Sequence, residues 1–154
     1  MTVLLVVRHA HAGDREQWVG PDERRPLTKK GRAQAAGLVD VLAEFEVDRI
    51  LSSHYIRCLE TVAPLACQRR RSIEVHPALA EGTSAADASA LVAELGSITA
   101  VLCTHGDVLW NVLVGLAHHD GDDLPMSKGS TWVVEENDGR LAAIRYLPPP
   151  PAAA

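Results

Sequence analysis

The chain has 154 residues, 47% of them hydrophobic, and a formal net charge of −5. That length and mixed composition fit one globular domain with a substantial core, and the acidic balance argues against a general binder of nucleic acid polymers. No apolar run approaches membrane-spanning length, the start lacks a signal-peptide pattern, and Cys58, Cys67 and Cys103 have no zinc-type spacing; a cytoplasmic protein with free thiols, bound to no membrane, is expected.

Val3 to Val7 are five apolar, mostly β-branched residues and predict a short buried strand. Charge appears abruptly at its end, as Arg8-His9, followed by Ala10 and His11. Gly13 to Arg25 is polar, with Gly20-Pro21 punctuation, and reads as a loop. Thr28 is the expected N-cap of an amphipathic helix over residues 28–45, with Leu27 as its hydrophobic staple and Ala35, Leu38, Val41 or Leu42, and Phe45 as its apolar stripe. Arg49 to Ser52 predicts a second strand, and Ser53-His54 leads into a helix that Pro64 should kink or restart. Ser72 to Val75 is a third candidate strand. Ser84, with Asp87 three residues on, opens a helix through Leu95. Ile98 to Cys103 is a second strong buried strand, and it too ends in a polar turn, Thr104-His105-Gly106-Asp107, before an apolar helix over Val108 to Ala117. Thr131 to Glu135 and Arg140 to Leu147 flank Asn137-Asp138-Gly139, a hairpin signal. The pattern predicts a three-layer α/β/α sandwich whose mostly parallel sheet carries an antiparallel edge hairpin, with residues 1–147 as the single domain and 148–154 as a Pro/Ala tail that has no means of packing.

In an open α/β sheet, ligands bind beyond the carboxyl ends of the strands. Two strands ending in Arg8-His9 and Thr104-His105-Gly106, with Arg57 one turn into a neighbouring helix, would set two histidines and two arginines around one point. That is a place for a tetrahedral dianion with a nucleophile beside it. Phosphoryl transfer depends mainly on positioning and charge stabilisation, which two guanidinium forks and an imidazole supply without metal or cofactor. His118-His119-Asp120 lacks any spacing that would unite it as a metal site and reads as part of a solvated acidic loop.

The motifs then become specific. Arg8-His9-Ala10, Leu27-Thr28-Lys29-Lys30-Gly31-Arg32-Ala33-Gln34-Ala35, Ser52-Ser53-His54-Tyr55-Ile56-Arg57-Cys58-Leu59-Glu60-Thr61, Leu79-Ala80-Glu81 and Thr104-His105-Gly106 occur in this order along the chain. The set resembles the histidine phosphatase superfamily, the phosphoglycerate mutase-like fold, and within it the small phosphohistidine phosphatase-like branch. The resemblance implies a nucleophile at His9, phosphate-gripping arginines at Arg8 and Arg57, and a cationic donor at His105 beside Gly106. It also implies an acid–base at Glu81 and a further substrate-side or loop-orienting arginine at Arg25. Ala10 replaces the usual glycine, His11-Ala12 replaces a common Ser or Thr, and His54 stands where a small or acidic residue is more usual; surface packing is expected for His11 and His54.

A metal-independent phosphatase acting on phosphomonoesters or related phosphates is the expected function. Its partner would be a phosphorylated small molecule, or alternatively a phosphohistidine protein. A phosphomutase is disfavoured because the short connections leave water access to an intermediate, and a non-catalytic binder because the four central residues are intact. Specificity is expected in the loops Gly13 to Arg25, Gly82 to Ala86 and His118 to Lys128.

Overall fold

The computed structural model describes residues 1–151. Six strands form one sheet in the order β3-β2-β4-β1-β5-β6. They are β1 (Thr2–Arg8), β2 (Arg49–Ser52), β3 (Ile73–Val75), β4 (Thr99–Thr104), β5 (Thr131–Asn137) and β6 (Arg140–Leu147). The first four are mutually parallel, and β5 and β6 add the antiparallel edge. The hairpin turn holds Asp138 and Gly139 at φ 51° and 78°, the paired left-handed conformation that a two-residue loop requires.

Strand alternation divides the core. Leu4, Val6, Ala100 and Leu102 face a layer made by α3 (Ala85–Leu95) and α4 (Gly106–Trp110). Leu5, Val7, Val101 and Cys103 face the layer made by α1 (Lys29–Val41) and α2 (Ile56–Arg69). Both faces of the sheet are therefore dry, which is why β1 and β4 read as continuous apolar runs.

Three helical expectations need correction. α1 stops at Val41 rather than 45, and Phe45 sits in the turn that follows it. α2 runs unbroken through Pro64, because Thr61, Val62, Leu65 and Ala66 bury on either side of the proline and hold the axis against its missing hydrogen bond. The Val108–Ala117 helix divides into α4 and a wider π-turn over Asn111–Leu116; Val112, Val114 and Gly115 are weak helix formers, so the tighter ladder is not enforced there. The Pro/Ala end also departs from an unpacked tail. Pro150 is buried, and it lies over Gly37, where a Cβ would come within 2.5 Å of the proline ring.

Thr28 caps α1 as expected, its Oγ1 accepting from Gly31 N–H at 3.1 Å. The glycine has a second reason to be there. A Cβ at Gly31 would stand 2.0 Å from the His11 carbonyl oxygen, so the first turn of α1 lies directly against the segment leaving β1. Gly31→Ala should destabilise the fold by about 2 kcal/mol through overpacking, lowering Tm by roughly 4–8 °C. Gly115→Ala, whose Cβ would meet Ala85 at an ordinary 3.4 Å, is the control. Thermal unfolding of the two variants separates close approach from a general dislike of alanine.

Candidate active site

β1 and β4 pair in register, with Arg8 opposite Thr104, so the chain leaves both strands at the same level. His9 N–H donates to the Thr104 carbonyl at 3.0 Å and Arg8 N–H to the Ser130 carbonyl at 3.0 Å. The His9 and His105 rings come to 5.4 Å between centroids. Arg57 arrives from the first turn of α2, its guanidinium 4.7 Å from the Tyr55 ring centre. A cleft of about 460 Å3 opens over these strand ends, with Arg8, His9, Arg25, Glu81, His105 and Gly106 in its walls. Six of the seven sequence candidates line it directly, and Arg57 lies within 3.7 Å of Glu81 beneath.

His9 is almost fully buried. Its Nδ1 lies 2.8 Å from the Ala10 carbonyl, which can only accept, so Nδ1 carries the hydrogen and Nε2 keeps its lone pair. Ala10 N–H is itself fixed by Thr61 Oγ1 at 2.9 Å, and the Thr61 hydroxyl donates to the Arg57 carbonyl at 2.6 Å. One turn of α2 thus positions both the arginine and the histidine loop. Desolvation, reinforced by the charges of His105, Arg57 and Arg8 and only partly opposed by the Ala10 hydrogen bond, pushes the His9 pKa down to about 3. The imidazole is neutral at pH 7.

His105 is held by Ser53, whose Oγ lies 2.9 Å from Nε2 and accepts from Tyr55 N–H at 3.3 Å. Cys58 Sγ lies 3.6 Å from the same Nε2, so this edge of the ring is anchored and Nδ1 is left without a protein partner. Arg8 Nη1 donates to the Met126 carbonyl at 2.6 Å, and its guanidinium lies so close to Gly106 that a Cβ there would be 3.0 Å from Arg8 Cζ. The glycine of Thr104-His105-Gly106 makes room for the arginine of Arg8-His9. Arg57 has no exposed side-chain surface; its Nη1 donates to the Asp22 carbonyl at 2.9 Å and its Nη2 to Asp22 Oδ2 at 3.0 Å. Three nitrogens from these residues, Arg8 Nε, Arg57 Nε and His105 Nδ1, are buried without a protein partner. Such an arrangement can receive a compact anion in front of a neutral imidazole.

Glu81 lines the same cleft. The segment that bears it is tied to the end of β4 on both sides: Thr104 Oγ1 donates to the Leu79 carbonyl at 2.6 Å, and Gly82 N–H donates to Asp107 Oδ2 at 2.7 Å. Its own carboxylate accepts from Arg15 Nη2 at 2.7 Å and lies 3.7 Å from Arg57 Nη2. Arg25 is buried and largely occupied by its loop, donating from Nε to Asp22 at 3.0 Å and from Nη1 to the Ala12 and Gly13 carbonyls at 2.7 and 3.3 Å. It braces the Gly13–Arg25 loop while showing one side to the cleft.

His54 is exposed, as expected, bonded to Glu23. His11 is more structural than expected. Its N–H donates to Gln34 Oε1 at 2.9 Å and its Nδ1 lies 2.7 Å from Thr28 Oγ1, so the threonine and glutamine of the α1 motif serve the segment that carries His9. His118 and His119 lie elsewhere, the first on a separate groove with Arg140 and the second with its ring against Trp132.

Asp22, Thr61, Ser53, Asp107, Arg15 and Lys128 were not singled out as site residues from the sequence. Thr61 carried a usable signal, since it lies four residues after Arg57 on one helix face. Asp22 and Arg15 carried none, because a loop without periodicity does not reveal what it faces.

The α/β sheet thus brings two histidines and two arginines, three of whose buried nitrogens lack a protein partner, to one end of adjoining strands. The sequence profile of the histidine phosphatase superfamily (branch 1) matches residues 4–86, and the chain belongs to that superfamily. A curated relative, the 8-oxo-(d)GTP phosphatase of Mycolicibacterium smegmatis, is 37% identical over 155 residues, covering 96% of this chain and 48% of the relative. The chain spans about half the length of that relative. Among solved structures, the protein histidine phosphatase SixA complexed with tungstate superposes with a TM-score of 0.81 at 21% identity, covering 94% of this chain and 96% of that one. A phosphoserine phosphatase from Entamoeba histolytica in complex with 3-phosphoglyceric acid gives 0.77 at 15% identity, covering 96% and 98%. These two likenesses are of fold.

The low His9 pKa fixes a pH dependence. Below pH 6.5, its ordinary value, the unfolded chain takes up a proton that folded His9 refuses down to about pH 3. Stability contributed by this group is therefore full above pH 6.5 and declines as pH falls toward 3, with a limiting slope of about 1.4 kcal/mol per pH unit. Urea unfolding between pH 7 and 4 should show a shallower acid loss in His9→Asn than in the wild type. Equal slopes would mean that His9 titrates normally in the folded protein.

Proposed function

We propose that the chain is a phosphohydrolase that transfers a phosphoryl group from oxygen to His9 and then to water. The observation that carries this reading is the pairing of a neutral, tautomerically fixed His9 with the three unpartnered nitrogens of Arg8, Arg57 and His105. His9 Nε2 attacks phosphorus and the P–O bond to the leaving group breaks. Arg8, Arg57 and His105 receive the charge on the equatorial oxygens, and the Glu81 carboxylate takes up the proton that a monoanionic substrate phosphate brings and passes it to the departing oxygen. In the second step Glu81 takes the proton of a water whose oxygen bonds to phosphorus; the P–N bond breaks and His9 recovers its lone pair. Gly106 lets Arg8 approach, and Arg25 keeps the loop over the cleft in shape.

The substrates proposed are oxygen-linked phosphates, small-molecule esters or nucleotides. The activity in the name of the 37% identical relative, on 8-oxo-(d)GTP, supports nucleotides as one class. Protein phosphohistidine is the second reading, favoured by the likeness of fold to the protein histidine phosphatase SixA. Glu81 weighs against it as the main substrate, because an imidazole leaving from a P–N bond has less need of a strong acid than an alkoxide does.

A brief incubation with labelled substrate should leave acid-labile, alkali-stable phosphate on the wild type and none on His9→Ala, and turnover surviving in His9→Ala would overturn the reading. Arg57→Lys should lower kcat roughly a hundredfold, as for a lost oxyanion donor of 2–4 kcal/mol, because an ammonium cannot reproduce the fork. Glu81→Gln should slow alkyl phosphates much more than p-nitrophenyl phosphate, whose leaving group is stable as an anion. Equal slowing of the two would remove Glu81 as the leaving-group acid.

A further inference from the structure

The charges in the cleft fall into two sets. Those that bear on His9 are His105, Arg57 and Arg8. Lys128 bears instead on His11, two residues further along the chain, yet it lines the same cleft, with Arg15, Arg25 and Glu81. Lys128 thus lines the cleft together with the exposed Arg15 and under the influence of Arg8, beside the reacting centre without being among the groups that act on His9.

Its backbone is firmly placed. Gly129 N–H donates to the carbonyls of Arg8 and His9 at 3.0 and 3.1 Å, and Gln34 Nε2 donates to the Lys128 carbonyl at 3.3 Å. The ammonium, by contrast, has no ion-pair partner among the described residues. The carboxylates nearby are already occupied: Asp22 by Arg15, Arg25 and Arg57, Glu81 by Arg15, and Asp107 by the N–H groups of Gly82 and Val108. What surrounds Lys128 is more positive charge. Burial and the guanidinium groups of Arg8, Arg25, Arg57 and Arg15 lower its pKa. A chain of net charge −5 thus gathers four cations, Arg8, Arg15, Arg25 and Lys128, around two carboxylates, Glu81 and Asp107, at one opening, with the Arg57–Asp22 pair adjoining it. Like charges held together at a cleft are unfavourable until an anion joins them, and the field they create draws one in.

We propose that Lys128 is a specificity-determining residue: with Arg15 it binds a second anionic group of the substrate, the phosphate adjoining the one that His9 receives, so that phosphoanhydrides are preferred over esters carrying a single phosphate. The proposal rests on the phosphohydrolase reading and names a substrate class for the same site. Nucleoside di- and triphosphates and inorganic polyphosphate share the required chemistry. A lysine suits it, since a mobile point charge on a flexible stem can follow a phosphate chain that a fixed fork could not.

The test compares kcat/KM for inorganic tripolyphosphate, O-phosphoserine and p-nitrophenyl phosphate in the wild type, Lys128→Met and Lys128→Arg. The ratio of tripolyphosphate to p-nitrophenyl phosphate should fall about tenfold or more in Lys128→Met, the loss of one charge-assisted contact. The fall should lie mainly in KM, and Lys128→Arg should recover most of it. A ratio unchanged within about twofold overturns the proposal. A fall confined to O-phosphoserine also overturns it, by making the second group a carboxylate. If the wild type turns over none of the three, the phosphohydrolase reading fails by itself. Calorimetric titration then decides the subsite: tighter binding of methylenediphosphonate than of methylphosphonate, lost in Lys128→Met, upholds it, and equal binding overturns it.

Discussion

A guanidinium with no exposed surface stays charged only beside a counter-ion that also satisfies its hydrogen bonds, and Arg57 has that in Asp22. The same carboxylate holds Arg25 at 3.0 Å and Arg15 at 3.5 Å. Arg25 in turn grips the carbonyls of Ala12 and Gly13. One acidic side chain in an irregular loop therefore connects the first turn of α2, the segment after β1 and the rim of the cleft. Burial alone would raise the pKa of Asp22, but hydrogen bonding to Arg25 and the charges of Arg57 and Arg15 outweigh it and hold the group below the usual carboxylate range.

His9 shows how one environment can serve two ends. Cations that would attract a phosphate also disfavour a proton on the imidazole that must attack it, and burial pushes in the same direction. The hydrogen bond to Ala10 opposes the shift while selecting the tautomer. No separate base is needed to keep Nε2 free at neutral pH.

The strands were readable because both sheet faces are buried, which leaves continuous apolar runs such as Val3 to Val7 and Ile98 to Cys103. The hairpin was readable because Asp138-Gly139 is the chemistry its turn demands. Arg8, His9, Arg57, Glu81 and His105 stood out because charge follows an apolar run abruptly or falls in a motif with fixed spacing. The supporting contacts were less legible. Nothing local marks Asp22 as the partner of a residue 35 positions away, and the His11 contacts with Thr28 and Gln34 depend on how α1 docks. The continuity of α2 through Pro64 and the burial of Pro150 likewise arise from packing that overrides local preference.

The dry faces of the sheet have a bearing on how its strands find their alignment. A one-residue slip normally carries apolar side chains into water, and that penalty fixes register. In β1 it is absent, because Leu4 and Val6 bury on one side and Leu5 and Val7 on the other, so hydrophobic burial is nearly indifferent to a shift. Alignment then falls to side-chain contacts at the strand ends, Arg8 Nη1 on the Met126 carbonyl and Thr104 Oγ1 on the Leu79 carbonyl. The residues that face the cleft are also the key by which the strands are indexed. An insertion within β1 would leave a core of almost unchanged oiliness and move the arginine to the histidine's place; a deletion would move the histidine to the arginine's.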